Sequence, residues 1–162
     1  MTKEIKIFLE QNNAIEGVTD PDSLQQAKYA WTYLIRQKVL STGVILKTHK
    51  ILMLHQNLYP TDKGYWRQVP VWVGGREGAK HEEVGGLMWH WCLEGMRASP
   101  RLTEEEIKQL HIKYEKIHPF VDGNGRTGRM FMNWQRLKRA KLPLLIIHTG
   151  PEQMQYYDWF KG

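Results

Sequence analysis

Cysteine is nearly missing from this chain: Cys92 is the only one in 162 residues. That excludes an intramolecular disulfide and a cysteine-based zinc site. Also missing are a charged-then-apolar leader at the N-terminus and any apolar run of the roughly 20 residues needed to cross a bilayer. Repeats and low-complexity tracts are absent. Seven tryptophans and an apolar content of 41% argue against a disordered chain. The expectation is a folded protein without a membrane partner, at home in a reducing cytoplasm. Cys92, beside Trp91 in a helical pattern, reads as a small buried hydrophobe.

Negative charge is in deficit. Lys plus Arg number 23 against 17 Asp plus Glu, a formal net charge of +6. The long-range field therefore favours anionic partners. The basic residues are scattered, however, so ordinary solubility charge is the simpler reading and nucleic acid is not the expected partner. Arg136, Lys138, Arg139 and Lys141 do cluster, and are expected to decorate the solvated end of a helix, where cations suit the dipole. The length is that of one domain with one core, residues 1–162, with no indication of oligomeric state.

Periodicity predicts a mainly α fold with one small β-hairpin. A first helix is expected over Thr2 to Ile15, ended by Gly17. The Asp20-Pro21 pair starts a second, whose apolar face is Leu24, Ala27, Trp31, Leu34 and Ile35. Val44, Thr48, Ile51, Leu52, His55 and Leu58 mark a third, ending before Pro60. Tyr65 to Val73, aromatic and β-branched and followed by Gly74-Gly75, reads as the hairpin. Helices resume over Glu82 to Met96 and from Thr103, which forms a capping box with Glu106 and leads toward His118. A further helix is expected up to about Lys141, and a last one over Pro151 to Phe160; Leu142 to Ile147 is ambiguous.

The chemistry concentrates in KIHPFVDGNGRTGRM, Lys116 to Met130. His118 offers a base that titrates near neutrality, although a lone histidine at a helix end is more often a buried structural one. Asp122 could hold Mg²⁺ against phosphates or merely close an Asx turn. Gly123-Asn124-Gly125 suggests a backbone nest ahead of a helix, whose N–H groups converge on one anion. Asn124 is by type a turn residue that tolerates positive φ. Arg126 and Arg129 would lie one turn in and face the same charge with planar guanidiniums. Together these point to a phosphate pocket.

The pattern H-P-F-x-D-G-N-G-R-x-x-R, met here by His118, Pro119, Phe120, Asp122, Gly123, Asn124, Gly125, Arg126 and Arg129, resembles the signature of Fic-domain proteins. The resemblance extends more weakly through NNAIEGV, GYWRQVPVWVGG and PEQMQYYDWF. It implies a compact helical bundle carrying a β-hairpin flap, and transfer of AMP from ATP, with Mg²⁺, to a Ser, Thr or Tyr hydroxyl of a target protein. It implies that His118 is the general base, Asp122 the metal ligand, Phe120 a core anchor for the loop and Asn124 part of an anion hole. Arg126 would serve the pyrophosphate portion and Arg129 the γ-phosphate.

Relatives that act as kinases carry a lysine where this chain has Gly125, so Gly125 points to nucleotidyl transfer. Flap residues Val69, Val71 and Val73 would pin a target segment by β-augmentation, and Tyr157 would face the base. Autoinhibited members carry S/T-x-x-x-E-G/N, whose glutamate pairs with the second motif arginine. Here Glu16 and Gly17 match and Asn12 replaces the hydroxyl residue, so residues 1–17 form a candidate inhibitory helix. Removal of AMP, use of another nucleotide, and a non-catalytic anion-binding module are the alternatives. GGREGAK, Gly74 to Lys80, resembles a Walker loop only superficially, and His111, Glu115 and His118 lack the order of a zinc site.

Overall fold

The computed structural model describes residues 1–97 and 101–162. Among them are seven α-helices: α1 Lys3–Ile15, α2 Pro21–Ile35, α3 Thr42–Met53, α4 Val84–Arg97, α5 Glu104–Ile117, α6 Asn124–Gln135 and α7 Pro151–Tyr157. One antiparallel pair, β1 Trp72–Val73 and β2 Arg76–Glu77, lies between α3 and α4. The mainly α architecture with a small hairpin is as the periodicity predicts.

Side-chain oxygens start the helices where the sequence places them. Thr2 Oγ1 accepts the Ile5 N–H at 3.2 Å, Asp20 Oδ1 the Ser23 N–H at 2.8 Å and Ser41 Oγ the Val44 N–H at 3.2 Å. Thr103 and Glu106 exchange both bonds of the capping box at 3.1 and 2.7 Å. Each such cap satisfies a donor that the helix leaves orphaned, worth about 1 kcal/mol. At the other end of α1, Gly17 takes the left-handed conformation with φ of 70°, which glycine adopts without a Cβ clash.

Three expectations need correction. The third helix stops at Met53 and does not reach Leu58, because the chain turns: Gln56 N–H bonds to Met53 O at 3.0 Å and Lys63 Nζ covers Leu54 O at 2.8 Å. The hairpin lies further along than Tyr65 to Val73, since Gly74 and Gly75, with φ of 54° and 79°, form its turn and not its end. Val73 belongs to β1, whereas Val69 and Val71 precede it on irregular chain. The basic cluster is not all solvated: Arg136 is buried, with Nη1 on Glu104 at 2.5 Å and Nε on Pro143 O at 2.8 Å.

After α6 the chain continues as a wider π-type turn over Arg136–Ala140, ended by Lys141 at φ 57°. The ambiguous stretch 142–147 is irregular chain, neither helix nor strand, pinned where Asn133 grips Leu145 N–H and C=O at 2.7 and 3.1 Å.

The core explains where the motif ends up. Trp31, Trp91, Trp134, Tyr114 and Phe131 are fully buried, and α6 is buried along nearly its whole length because α1, α2, α3 and α5 all pack on it. Its N-terminus, carrying the motif, therefore emerges in the middle of the bundle.

Candidate active site

Phe120 fixes the motif loop. It is wholly buried and stacks on His49 at 3.6 Å between ring centroids, with Trp66 at 5.4 Å. Asn124 closes the loop around it, its Oδ1 accepting Phe120 N–H and its Nδ2 donating to Phe120 O, both at 2.8 Å. This corrects one reading of Asn124: it has helical backbone, and the positive φ of 83° falls on Gly123. Its amide oxygen and one amide N–H are engaged by the loop.

His49, which periodicity did not single out as a site residue, holds the loop from below. Its Nε2 donates to Asp122 O at 2.8 Å and its Nδ1 accepts Gly64 N–H at 3.0 Å. Burial keeps this ring neutral, its pKa pushed down to about 4.

His118 caps α5 in the left-handed conformation, φ 52°, unusual for a residue with a Cβ. Its pKa is lowered, first by burial and also by the nearby Arg67 charge, so the ring is neutral and able to accept a proton near pH 7. Glu115 Oε2 lies 3.9 Å from His118 Nδ1, a buried nitrogen, and the Glu115 main chain favours the protonated ring. Glu115 is buried too, and burial raises its pKa to about 7.

Asp122 has the most open carboxylate of the group, its side chain 59% exposed. One oxygen accepts Gly123 N–H at 2.7 Å and the other lies 3.9 Å from Arg126 Nη2. Arg126 is buried, yet its Nε and Nη1 have no partner. His118, Asp122, Gly123, Gly125 and Arg126 line one cavity of about 100 Å³. A buried guanidinium with unpaired donors is costly, and the N–H groups at the start of α6 point the same way. Both are complementary to an anion.

Arg129 is held on all sides. Its Nε donates to Asn12 Oδ1 at 2.6 Å, and its Nη2 donates to Asn12 O at 3.1 Å and Glu16 Oε1 at 2.7 Å. Its Nη1 reaches Tyr156 OH at 3.3 Å, and that hydroxyl donates in turn to His111 Nε2 at 2.8 Å. Although burial opposes the charge, the Tyr156 oxygen and the Glu16 carboxylate raise the Arg129 pKa. Asn12 also gives its Nδ2 to Arg126 O at 3.0 Å. Gly125 makes the approach of Glu16 possible: a Cβ there would collide with Glu16 Oε1 and lie 3.0 Å from Arg129 Nη1.

A larger cleft of about 810 Å³ shares Glu16, His118 and Gly125 with the small cavity and reaches Val73, Tyr157 and Phe160. Tyr157 is 39% exposed. Val69 is exposed and Val71 half-buried, but neither belongs to the paired strands. The structure thus brings Glu16, His118, Asp122 and the residues from Gly123 to Arg129 together, with Val73 and Tyr157 on the cleft. Sequence reasoning missed Tyr156, His49 and Arg67. A lone arginine inside the aromatic run Tyr65 to Val73 was the available signal for Arg67.

A model of the Fic/DOC family matches residues 39–135, well over half the chain. The chain belongs to the Fic/DOC family. Among curated Fic proteins, the protein adenylyltransferase Fic of Drosophila grimshawi is 33% identical over 137 residues, 83% of this chain but 27% of the relative. That of Drosophila mojavensis is 34% identical over 137 residues, 83% of this chain and 26% of the relative. This chain therefore spans about a quarter of the length of these relatives. The fold is shared with a Fic-domain-containing signaling protein from Bacteroides thetaiotaomicron, with TM-score 0.78 and 21% identity over 96% of this chain and 70% of that one. Fic-1 from C. elegans matches with TM-score 0.78 and 20% identity, over 98% of this chain and 55% of that chain.

Proposed function

We propose that this Fic domain transfers AMP from ATP to a hydroxyl of a target protein and is restrained by its own Glu16. The observation that carries the reading is the small cavity, where a neutral imidazole, His118, meets a buried guanidinium with unpaired donors, Arg126, and the free N–H groups of a helix start. Polyphosphate is the anion that such a cradle suits, and Arg129, one turn along, would take a further phosphate once Glu16 withdraws.

In the transfer, the target oxygen forms its bond to the α-phosphorus as the bond from that phosphorus to the β-phosphate oxygen breaks, and pyrophosphate leaves. His118 accepts the hydroxyl proton, an effect worth about 10²–10⁴-fold in rate. With Nδ1 buried, Nε2 is the nitrogen able to meet the hydroxyl. The donor set near the phosphates suits Mg²⁺, which is held through one or two carboxylates together with phosphate oxygens; Asp122 supplies an exposed carboxylate there. When bound, the ion would offset charge on the phosphates. Tyr157 faces the base along the larger cleft. The target segment runs beside Val73 and the chain carrying Val69 and Val71, where short strands leave backbone groups for β-augmentation.

The kinase relatives make Gly125 informative. A lysine at this position would occupy the space of Glu16 and Arg129, so glycine suits both the inhibited arrangement and nucleotidyl transfer. ATP labelled on the α- or the γ-phosphate tests the reading. α-Label on protein that is lost in His118→Ala, while nucleotide affinity stays within about 3-fold, is expected, because the base acts on the attacking hydroxyl and not on ground-state phosphates. γ-Label, or α-label that survives His118→Ala, would contradict it.

A further inference from the structure

Arg67 carries a buried charge that the transfer chemistry does not use. It is 1% exposed, and its guanidinium donates to four main-chain carbonyls. Nε bonds to His118 O at 2.6 Å, Nη1 to Val69 O at 2.9 Å, and Nη2 to Ile117 O at 3.1 Å and to Ala79 O. Its own N–H bonds to Pro119 O at 3.0 Å. Val69 and Ala79 stand at the two feet of the β1–β2 hairpin, and Ile117, His118 and Pro119 form the turn that carries the imidazole. One planar fork therefore ties both limbs of the hairpin to one turn.

Stability alone does not call for this arrangement. A buried charge forgoes its hydration, and an apolar side chain of similar volume often serves a core as well or better. What arginine adds is rigid, divergent donation to several acceptors at once. The turn has a use for it, because His118 is held at φ 52°, a conformation that persists only when its surroundings over-determine it. The hairpin packs directly on the same point. A Cβ on Gly78 would lie 3.0 Å from Arg67 Nη2, 3.2 Å from Val71 Cγ2 and 3.4 Å from His118 Cβ.

We propose that Arg67 is a positioning residue that locks the hairpin to the turn bearing His118, so that a target segment held on the hairpin is held in register with the base. The inference rests on the transfer reading above. It makes two demands. Loosening the strut must cost turnover without costing nucleotide affinity, because the phosphate cradle does not touch Arg67. The Arg67 charge must also be felt by His118. The charged and titratable groups facing that ring are Arg67 from the hairpin foot, Glu115 on α5, Glu16 from α1 and Asp122 in the loop. Glu16 and Asp122 favour its protonated form and Arg67 opposes it.

The test uses Glu16→Gly as parent and adds Arg67→Lys, Arg67→Met or Gly78→Ala, each checked for folding by thermal unfolding. Arg67→Lys is expected to lower the α-label turnover by roughly 10- to 100-fold, the scale of a misplacement near 1 Å, with the ATP Kd within about 3-fold by calorimetry. In Arg67→Met, the His118 ring followed by NMR should titrate at higher pH than in the parent. That shift reports the Arg67 charge at the ring, and the fall in turnover at constant Kd reports the positioning. Folded variants whose turnover and His118 titration both match the parent would overturn the inference. If Arg67→Met does not fold, Gly78→Ala probes the strut from the hairpin, where unchanged turnover would overturn it and a fall at constant Kd would support it. A parent that takes no label means the transfer reading has failed, and the His118 titration then decides the link to Arg67 alone.

Discussion

Asn12 shows what a single side chain does at this site. Its Oδ1 and backbone carbonyl take two donors of Arg129, while its amide nitrogen reaches Arg126 O. In the sequence Asn12 was only a departure from a hydroxyl residue; in the structure the longer amide bridges both motif arginines. Asn12→Ala would strand a buried guanidinium nitrogen and a carbonyl, at about 1–3 kcal/mol for such a group. The expected result is a lower urea midpoint with unchanged slope, together with a gain in labelling, because Arg129 loses its anchor to α1. A midpoint within experimental error of the parent would show that water replaces the amide freely. Glu16 was legible only through the resemblance of Glu16-Gly17 to the S/T-x-x-x-E-G/N pattern of autoinhibited Fic proteins; by itself the segment reads as a helix end with a glycine cap. Arg67 and Tyr156 were not, because their partners are main-chain carbonyls and residues far away in sequence.

At the scale of elements, α5 and α6 set the distance between His118 and the first turn of α6. Gly128 governs that contact: a Cβ there would lie 2.7 Å from Glu115 Oε1 and 2.9 Å from Tyr114 Cδ1. Tyr114 is fully buried, with its hydroxyl bonded to Thr127 Oγ1 at 2.8 Å, so it cannot yield without losing that bond. Gly128→Ala is expected to cost about 1–3 kcal/mol by overpacking, read as a fall in unfolding temperature. An unchanged temperature would mean that the two helices slide apart freely.

Helix starts were legible here because Asp20, Thr103 and their partners lie within three residues of one another. The hairpin was misplaced because aromatic and β-branched composition marks Tyr65 to Val73, whereas the turn is set by the positive φ of Gly74 and Gly75. The end of α3 was missed because a lysine nine residues on, Lys63, caps it. The compact helical bundle, in contrast, followed from periodicity and the motif together.

Across the whole molecule, buried titratable groups set an acid limit. His49 and His111 have pKa values pushed down by burial to about 4 and about 3, from an ordinary 6.5. Below 6.5 the unfolded chain binds protons at these rings that the folded chain refuses, so stability present above 6.5 is lost as pH falls toward those folded values. Glu115 works in the opposite sense: its folded pKa near 7 lies above the ordinary 4.5, so its contribution fades as pH rises through that window. Two histidines against one carboxyl leave a net loss on acidification. The unfolding temperature is expected to fall steadily from pH 6.5 to pH 4, and less steeply in a folded His111→Phe variant. A flat profile would contradict the burial of these rings.

The central claim is that the Glu16 carboxylate occupies the guanidinium that a bound nucleotide needs. The ion pair at 2.7 Å lies beside a glycine that leaves no room for a Cβ, and Glu16 remains 40% exposed. A carboxylate open to solvent on one side is one that a competing anion can displace. The most direct measurement is α-label transfer from Mg²⁺–ATP, paired with calorimetric ATP affinity and thermal unfolding, in the parent and in Glu16→Gly. The account expects a folded variant with tighter ATP binding and markedly higher labelling, abolished again in Glu16→Gly/His118→Ala. A folded Glu16→Gly protein that gains neither affinity nor label would contradict it.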